Sequence, residues 1–215
     1  MQISALTTAD HARDPQAGEV SAQAPAVVAA RLAAAAIDRD AFAGRGPLTL
    51  PVLEDRNDRP LDLNRRFADR RVLVVFYLGG WSEACTEALR LVDRARPLLD
   101  ERCCSVVGIS PESVDHLGRT ADTHGLELTL LHDHGARFAD AHGLAFRLPP
   151  PLRATLRAAG VRLPAWNGDA SAQLPLPVTL LADFDRSVTL FAPSHPRENP
   201  GRGDVACALD AALGI

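Results

Sequence analysis

Residues 76–92 read FYLGGWSEACTEALRLV. An apolar run ending in Phe-Tyr stops at two glycines, passes a tryptophan and a serine, and then changes period. Ala88, Leu89, Leu91, Val92 and Ala95 fall on one stripe, with Glu87, Arg90, Asp93 and Arg94 between them. This switch from strand to amphipathic helix places Cys85 on the first turn of the helix. Upstream, RVLVVFYL (71–78) is almost wholly apolar and rich in β-branched residues, which suits a strand buried on both faces. Downstream, the helix is expected to end near Pro97 or one turn later. A second buried strand, CCSVVGIS (103–110), and a helix over 113–124 with Gly125 as its stop come next. Strand, helix, strand, helix in that order predicts parallel crossovers and an α/β layer architecture.

The flanks extend this frame. LTLPVLEDRNDRPLDL (48–63) reads as a strand pair turning at Asn57-Asp58. LELTLLHD (126–133) supplies another strand, and GARFADAHGLAF (135–146) a short helix with a glycine stop. The proline-rich segment 148–177, with a helix over 152–159, reads as an insertion, and VTLLADFDRSVTLFA (178–192) as a hairpin turning at 183–186. A closing helix covers 204–213, with Asp204 as N-cap. At the other end, residues 1 to about 22 are polar and without period, and 25–42 reads as a helix opened by Pro25. The division that follows is an N-terminal arm and helix over 1–45 and a mixed-sheet α/β domain over 46–215.

Composition narrows the functions. A net charge of −4 gives no electrostatic reason to bind nucleic acid. No apolar run approaches the ~20 residues of a membrane-spanning helix, and the first fifteen residues lack a secretory signal, so the expectation is a cytoplasmic protein with no membrane partner. All 23 basic residues are arginine and alanine is abundant, the bias of a GC-rich, bacterial genome. Four cysteines, Cys85, Cys103, Cys104 and Cys207, are too few and too uneven for a disulfide framework and are expected to rest as thiols.

Cys85 is the chemical candidate. The N-terminus of a helix offers free N–H groups and the positive end of the dipole, which favour thiolate over thiol. The thiolate is the form that attacks peroxides and disulfides. Ser82, three residues earlier, is placed to donate a hydrogen bond to the sulfur or to a bound oxygen. The other reading is a buried, inert cysteine. Cys103 and Cys104 point to opposite faces of their strand, so at most one could resolve an oxidised Cys85, and packing is the leading role for both. Cys207 reads as buried filler on the last helix. His132-Asp133-His134 is considered as a metal cluster and set aside, and no cofactor is called for. Trp166-Asn167-Gly168-Asp169 reads as a turn whose tryptophan packs near the site and lines a substrate groove.

Four blocks in order, FYLGGWSEACTEALRLV, VVGISPES (106–113), LPAWNGD (163–169) and LPLPVTLLAD (174–183), resemble the peroxiredoxin-like branch of the AhpC/TSA family. The resemblance runs from about Gly46 to the C-terminus and implies a thioredoxin-like fold with helices on both faces of a mixed sheet. The common Trp-Cys-x-x-Cys is Trp81-Ser82-Glu83-Ala84-Cys85 here, so the first cysteine of the pair is replaced by Ser82. Against thioredoxins this removes the attacking sulfur. Against the peroxiredoxin pattern Pro-x-x-x-Thr/Ser-x-x-Cys it sets Cys85 at the peroxidatic position and Ser82 at the hydroxyl position. The motif's proline becomes Leu78, and the arginine before the penultimate strand becomes Pro177, which resembles the cis-proline of thioredoxin-like proteins.

The resemblance therefore implies an antioxidant oxidoreductase, a thiol-dependent peroxidase with Cys85 and Ser82 at its centre and Trp81, Pro177 and Trp166 along its groove. It would act on a peroxide or disulfide substrate and be returned by an external thiol reductant, thioredoxin or a low-molecular-weight thiol, with room for a homodimer. The rival is a non-catalytic thioredoxin-fold module that binds a peptide or protein partner beside Pro177.

Overall fold

The computed structural model describes residues 26–30, 33–34, 36, 42, 47–192 and 204–214. The doubly buried run is β3 (Arg71–Phe76), an interior strand of a seven-stranded sheet. It runs parallel to β4 (Cys104–Ser110), which runs parallel to β5 (Thr129–His132). β1 (Val52–Asp55) lies antiparallel against β5 and carries β2 (Pro60–Asp62) at one edge. On the other side β8 (Thr179–Ala182) pairs antiparallel with β3 and carries β9 (Val188–Phe191). The sheet order is β2-β1-β5-β4-β3-β8-β9, mixed as the sequence implies.

Alternation along β3 sends its side chains into two cores. Leu73, Val75 and then Tyr77 pack with Leu89, Val92 and Leu99 of α2 (Glu83–Glu101), as well as Leu117 and Ala121 of α3 (Val114–His124). Ala208, Leu209 and Ala212 of the closing helix (Asp204–Leu213) complete this side. Val72, Val74 and Phe76 face the other way. They meet Leu63 of α1 (Leu63–Arg66), Phe67, and Phe138 of α4 (Arg137–Ala141), whose ring centroid lies 5.7 Å from that of Phe76. Ala26 and Ala30 join the first core, Ala34 and Phe42 the second. The helical residues described at 26–30 agree with the expected N-terminal helix; the expected arm over 1–22 lies outside the described residues.

The turn at Asn57-Asp58 forms as expected, with Asp58 at φ 59° and Leu53 opposite Leu61. α2 runs through Pro97 to Glu101, the later of its two expected ends. Gly125 closes α3 in the left-handed region. The segment read as an insertion carries two elements beyond the helix expected over 152–159, a second helix and a strand. A separate ribbon of β6 (Ala145–Arg147) and β7 (Gln173–Pro175) brackets α5 (Pro150–Ala158) and α6 (Leu163–Asn167). Strands of three residues, one ending in proline, are too short to show an alternating pattern. With these ranges set, the closing helix is α7. Among the described residues no helix is long and apolar enough to cross a membrane.

Candidate active site

The glycines at the end of β3 build the junction. Gly79 has φ 147°, and a Cβ there would lie 2.5 Å from Nε1 of Trp81; a Cβ on Gly80 would lie 2.1 Å from Oγ1 of Thr120. Only glycine lets this turn pass between the two side chains. Ser82 then caps α2 through its backbone, its carbonyl accepting from the amides of Cys85 (3.0 Å) and Thr86 (2.9 Å). Cys85 enters on the first turn, 5% exposed, and the amide of Leu78 donates to its Sγ at 3.5 Å. Cys85 lines a cavity of about 20 Å³, together with Tyr77, Ala88, Pro177, Thr179 and Val205 of α7. That volume is enough for one water-sized molecule.

Two residues that carry hydroxyls line this cavity. Oγ1 of Thr179 is buried with no hydrogen-bond partner. Tyr77 is buried beside Glu112 without good hydrogen-bonding geometry, and burial first, then the Glu112 charge, pushes its phenol well above the ordinary range. Tyr77 therefore keeps its proton. Behind the turn, Glu112 is fully buried. Its Oε1 accepts from the Gly80 amide (2.8 Å) and from Oγ1 of Thr120 (3.1 Å), and its Oε2 from Oγ of Ser110 (3.5 Å). Burial raises its pKa and these donors lower it in part.

The residues singled out from sequence separate in space. Cys85 and Pro177 meet at the cavity. Ser82 is close in the chain but its Oγ is buried without a hydrogen-bond partner, so the expected bond to sulfur is not made. Trp81 packs over Gly79, its Nε1 also without a partner. Trp166 stacks on His116 at 4.3 Å between ring centroids and does not line the cavity. Cys103 and Cys104 sit where β3 and β4 begin, since Cys104 pairs with Arg71 while Phe76 pairs with Ile109. Five residue steps at ~3.3 Å put about 17 Å of strand between them and the Cys85 end. Burial raises the Cys104 thiol to about 11. Cys207 is exposed, against the expectation of a buried side chain, because it lies nearly half a turn around α7 from Val205. Asp133 caps the amides of Phe138 (2.8 Å) and Ala139 (3.1 Å), and Nδ1 of His132 meets the Glu112 carbonyl, so these two side chains serve the backbone, while the His134 ring lies 5.6 Å from that of His132 between centroids.

Pro177 corrects one expectation outright. The described residues contain no cis peptide bond, so Pro177 is trans. The amide of Val178 closes on the carbonyl of Leu176 at 2.8 Å, while Leu176 itself donates to Leu144 at 2.7 Å. A three-residue turn of this kind reverses the chain around a trans proline.

The AhpC/TSA family model matches residues 47–190. The chain belongs to the AhpC/TSA family. Solved structures similar to this AhpC/TSA chain include the peroxidoxin BcpB of Mycobacterium tuberculosis, at 20% identity over 76% of this chain and 90% of that one, with a TM-score of 0.58. A PrxQ variant of Xylella fastidiosa (13%, 79% and 94%, 0.59) and a thiol peroxidase of Chromobacterium violaceum (19%, 79% and 85%, 0.53) share the same fold. No curated protein matches the sequence. As an AhpC/TSA protein the chain has a thioredoxin-like fold, and the departure expected from the sequence at Leu78 bears on the sulfur. A proline there would have no amide to give the sulfur. Sequence reasoning missed Leu78 as a donor, and with it Tyr77, Thr179 and Glu112; the signal on offer was that Tyr77 adjoins Leu78 and Thr179 lies two residues from Pro177.

Proposed function

We propose that the chain is a one-cysteine thiol peroxidase whose nucleophile is Cys85. One observation carries the reading: Cys85, whose Sγ accepts the Leu78 amide, lines a water-sized cavity together with Thr179, whose buried hydroxyl has no partner among the described residues. A buried donor left open in this way is suited to an incoming oxygen. The thiolate attacks one peroxide oxygen and the O–O bond breaks. Sulfur is oxidised to sulfenic acid, and the second oxygen takes a proton and leaves as water or alcohol. An external thiol then attacks the sulfenic sulfur, releasing water and leaving a mixed disulfide. A second thiol frees Cys85 and carries away the oxidised reductant. A reducing, cytoplasmic setting supplies such thiols, and none of the four cysteines is in a disulfide.

The test is one equivalent of hydrogen peroxide on the whole chain with a sulfenic-acid trap, read by mass spectrometry. The trap should label Cys85 alone, and Cys85→Ser should neither be labelled nor consume peroxide. Oxidation at Cys103, Cys104 or Cys207 with Cys85 still a thiol would sink the reading.

A further inference from the structure

A second cleft, of about 640 Å³, opens between α5 and α6. Its floor is apolar, with Val161, Leu163 and Ala172 buried. Its walls also carry Arg153, Arg157 and Arg162. Arg153 and Arg157 stand one turn apart on α5, and Arg162 is the residue that opens α6. None of the three guanidinium groups makes a hydrogen bond or an ion pair with a described residue. The sequence explains why. Between Asp140 and Asp169 there is no acidic residue, in a chain whose net charge is −4. The fourth arginine of that stretch, Arg147, donates to the Ser171 carbonyl at 3.0 Å, and one oxygen of Asp169 accepts from the Ser171 amide.

Like charges one turn apart on a helix repel, and three unpaired guanidinium groups beside an apolar floor form a complementary setting for an anion with a tail. The volume lies within the range of small-molecule sites. Guanidinium forks suit carboxylate and phosphate alike. We propose that this cleft binds a small amphipathic anion, an aliphatic chain ending in a carboxylate or a phosphate. The cleft shares no lining residue with the cavity at Cys85, so the site stands apart from the peroxidase reading.

Calorimetric titration of the whole chain tests it, with decanoate, decyl phosphate, 1-decanol and acetate as probes, each below its micelle-forming concentration. At least one of the two long-chain anions should saturate a single site, and the tighter of them identifies the head group. Decanol should bind about tenfold more weakly or worse, and acetate should not saturate, because charge and tail are both required. The combined Arg153→Ala, Arg157→Ala, Arg162→Ala variant should lose about tenfold or more in affinity. Ala154→Glu, an exposed position on the cleft wall, adds a carboxylate among the arginines and should weaken binding as strongly if the triple variant does not fold. Peroxide consumption should be unchanged in both. The proposal is overturned if neither anion saturates, if decanol matches them, or if Ala154→Glu binds as tightly as the parent.

Discussion

Thr179 is a small residue with a measurable cost. Its hydroxyl is buried without a partner, and such a group destabilises the fold by about 1 kcal/mol or more. Valine has nearly the same shape and no hydroxyl, so Thr179→Val should raise the unfolding free energy by about 1 kcal/mol. If the hydroxyl meets the peroxide oxygen as charge develops there, the same variant should lose about 100-fold in kcat/KM for hydrogen peroxide. Denaturant unfolding and initial rates measure the two sides. A variant that gains stability and keeps full activity would assign Thr179 to packing alone. Leu78 reaches the Cys85 sulfur with its backbone amide, which is why a side-chain motif cannot reveal it: a proline, expected from the resemblance at this position, has no amide to give.

At the scale of elements, Glu112 holds three pieces together. From the loop after β4 it takes the Gly80 amide of the turn before α2, and the Thr120 hydroxyl of α3. Because burial raises its pKa above the ordinary value of 4.5, the folded chain keeps the Glu112 proton to higher pH than the unfolded chain does. Its contribution is complete below that ordinary value and is lost as pH rises through the raised one. Glu112→Gln stays neutral throughout, so the difference in unfolding free energy between parent and variant should shift in favour of the variant as pH rises from about 4 to about 8. Asp133 is shifted the same way but is present in both proteins and cancels. Curves that run parallel across the window would remove Glu112 from this role. Glu112 also shows where sequence legibility stops. β3, α2, β4 and α3 were readable because their apolar periods are long, and Gly125 and Asn57-Asp58 because left-handed turns favour glycine, asparagine and aspartate. In sequence, Glu112 is one acid in VVGISPES. Its burial follows from where β4 ends against the Gly79-Gly80 turn, a long-range contact that no local pattern carries.

For the whole molecule, the sheet itself keeps the cysteines apart. Cys103 and Cys104 lie at the end of β3 and β4 opposite to the Cys85 cavity, and Cys207 faces solvent on α7. The combined Cys103→Ser, Cys104→Ala, Cys207→Ser variant should therefore turn over peroxide with a small external thiol at a rate within about twofold of the parent, since surface and small core changes rarely reach a distant site. Its oxidised form should carry no internal disulfide by mass. A loss of turnover restored by returning one of these cysteines would identify a resolving thiol. The cavity at Cys85 sets a further condition on that turnover. A space of about 20 Å³ takes a molecule about the size of water, and no organic thiol fits it. On the one-cysteine reading proposed above, a peroxide needs only its terminal oxygen in this space, whereas a thiol must bring in its larger sulfur, so reduction waits for the first turn of α2 to open. Kinetically, the reductive half-reaction should level off at high thiol concentration at the rate of that opening, whereas the oxidative half should stay first order in peroxide. Stopped-flow tryptophan fluorescence separates the two, and a reductive rate that climbs without limit would mean that the door is already open.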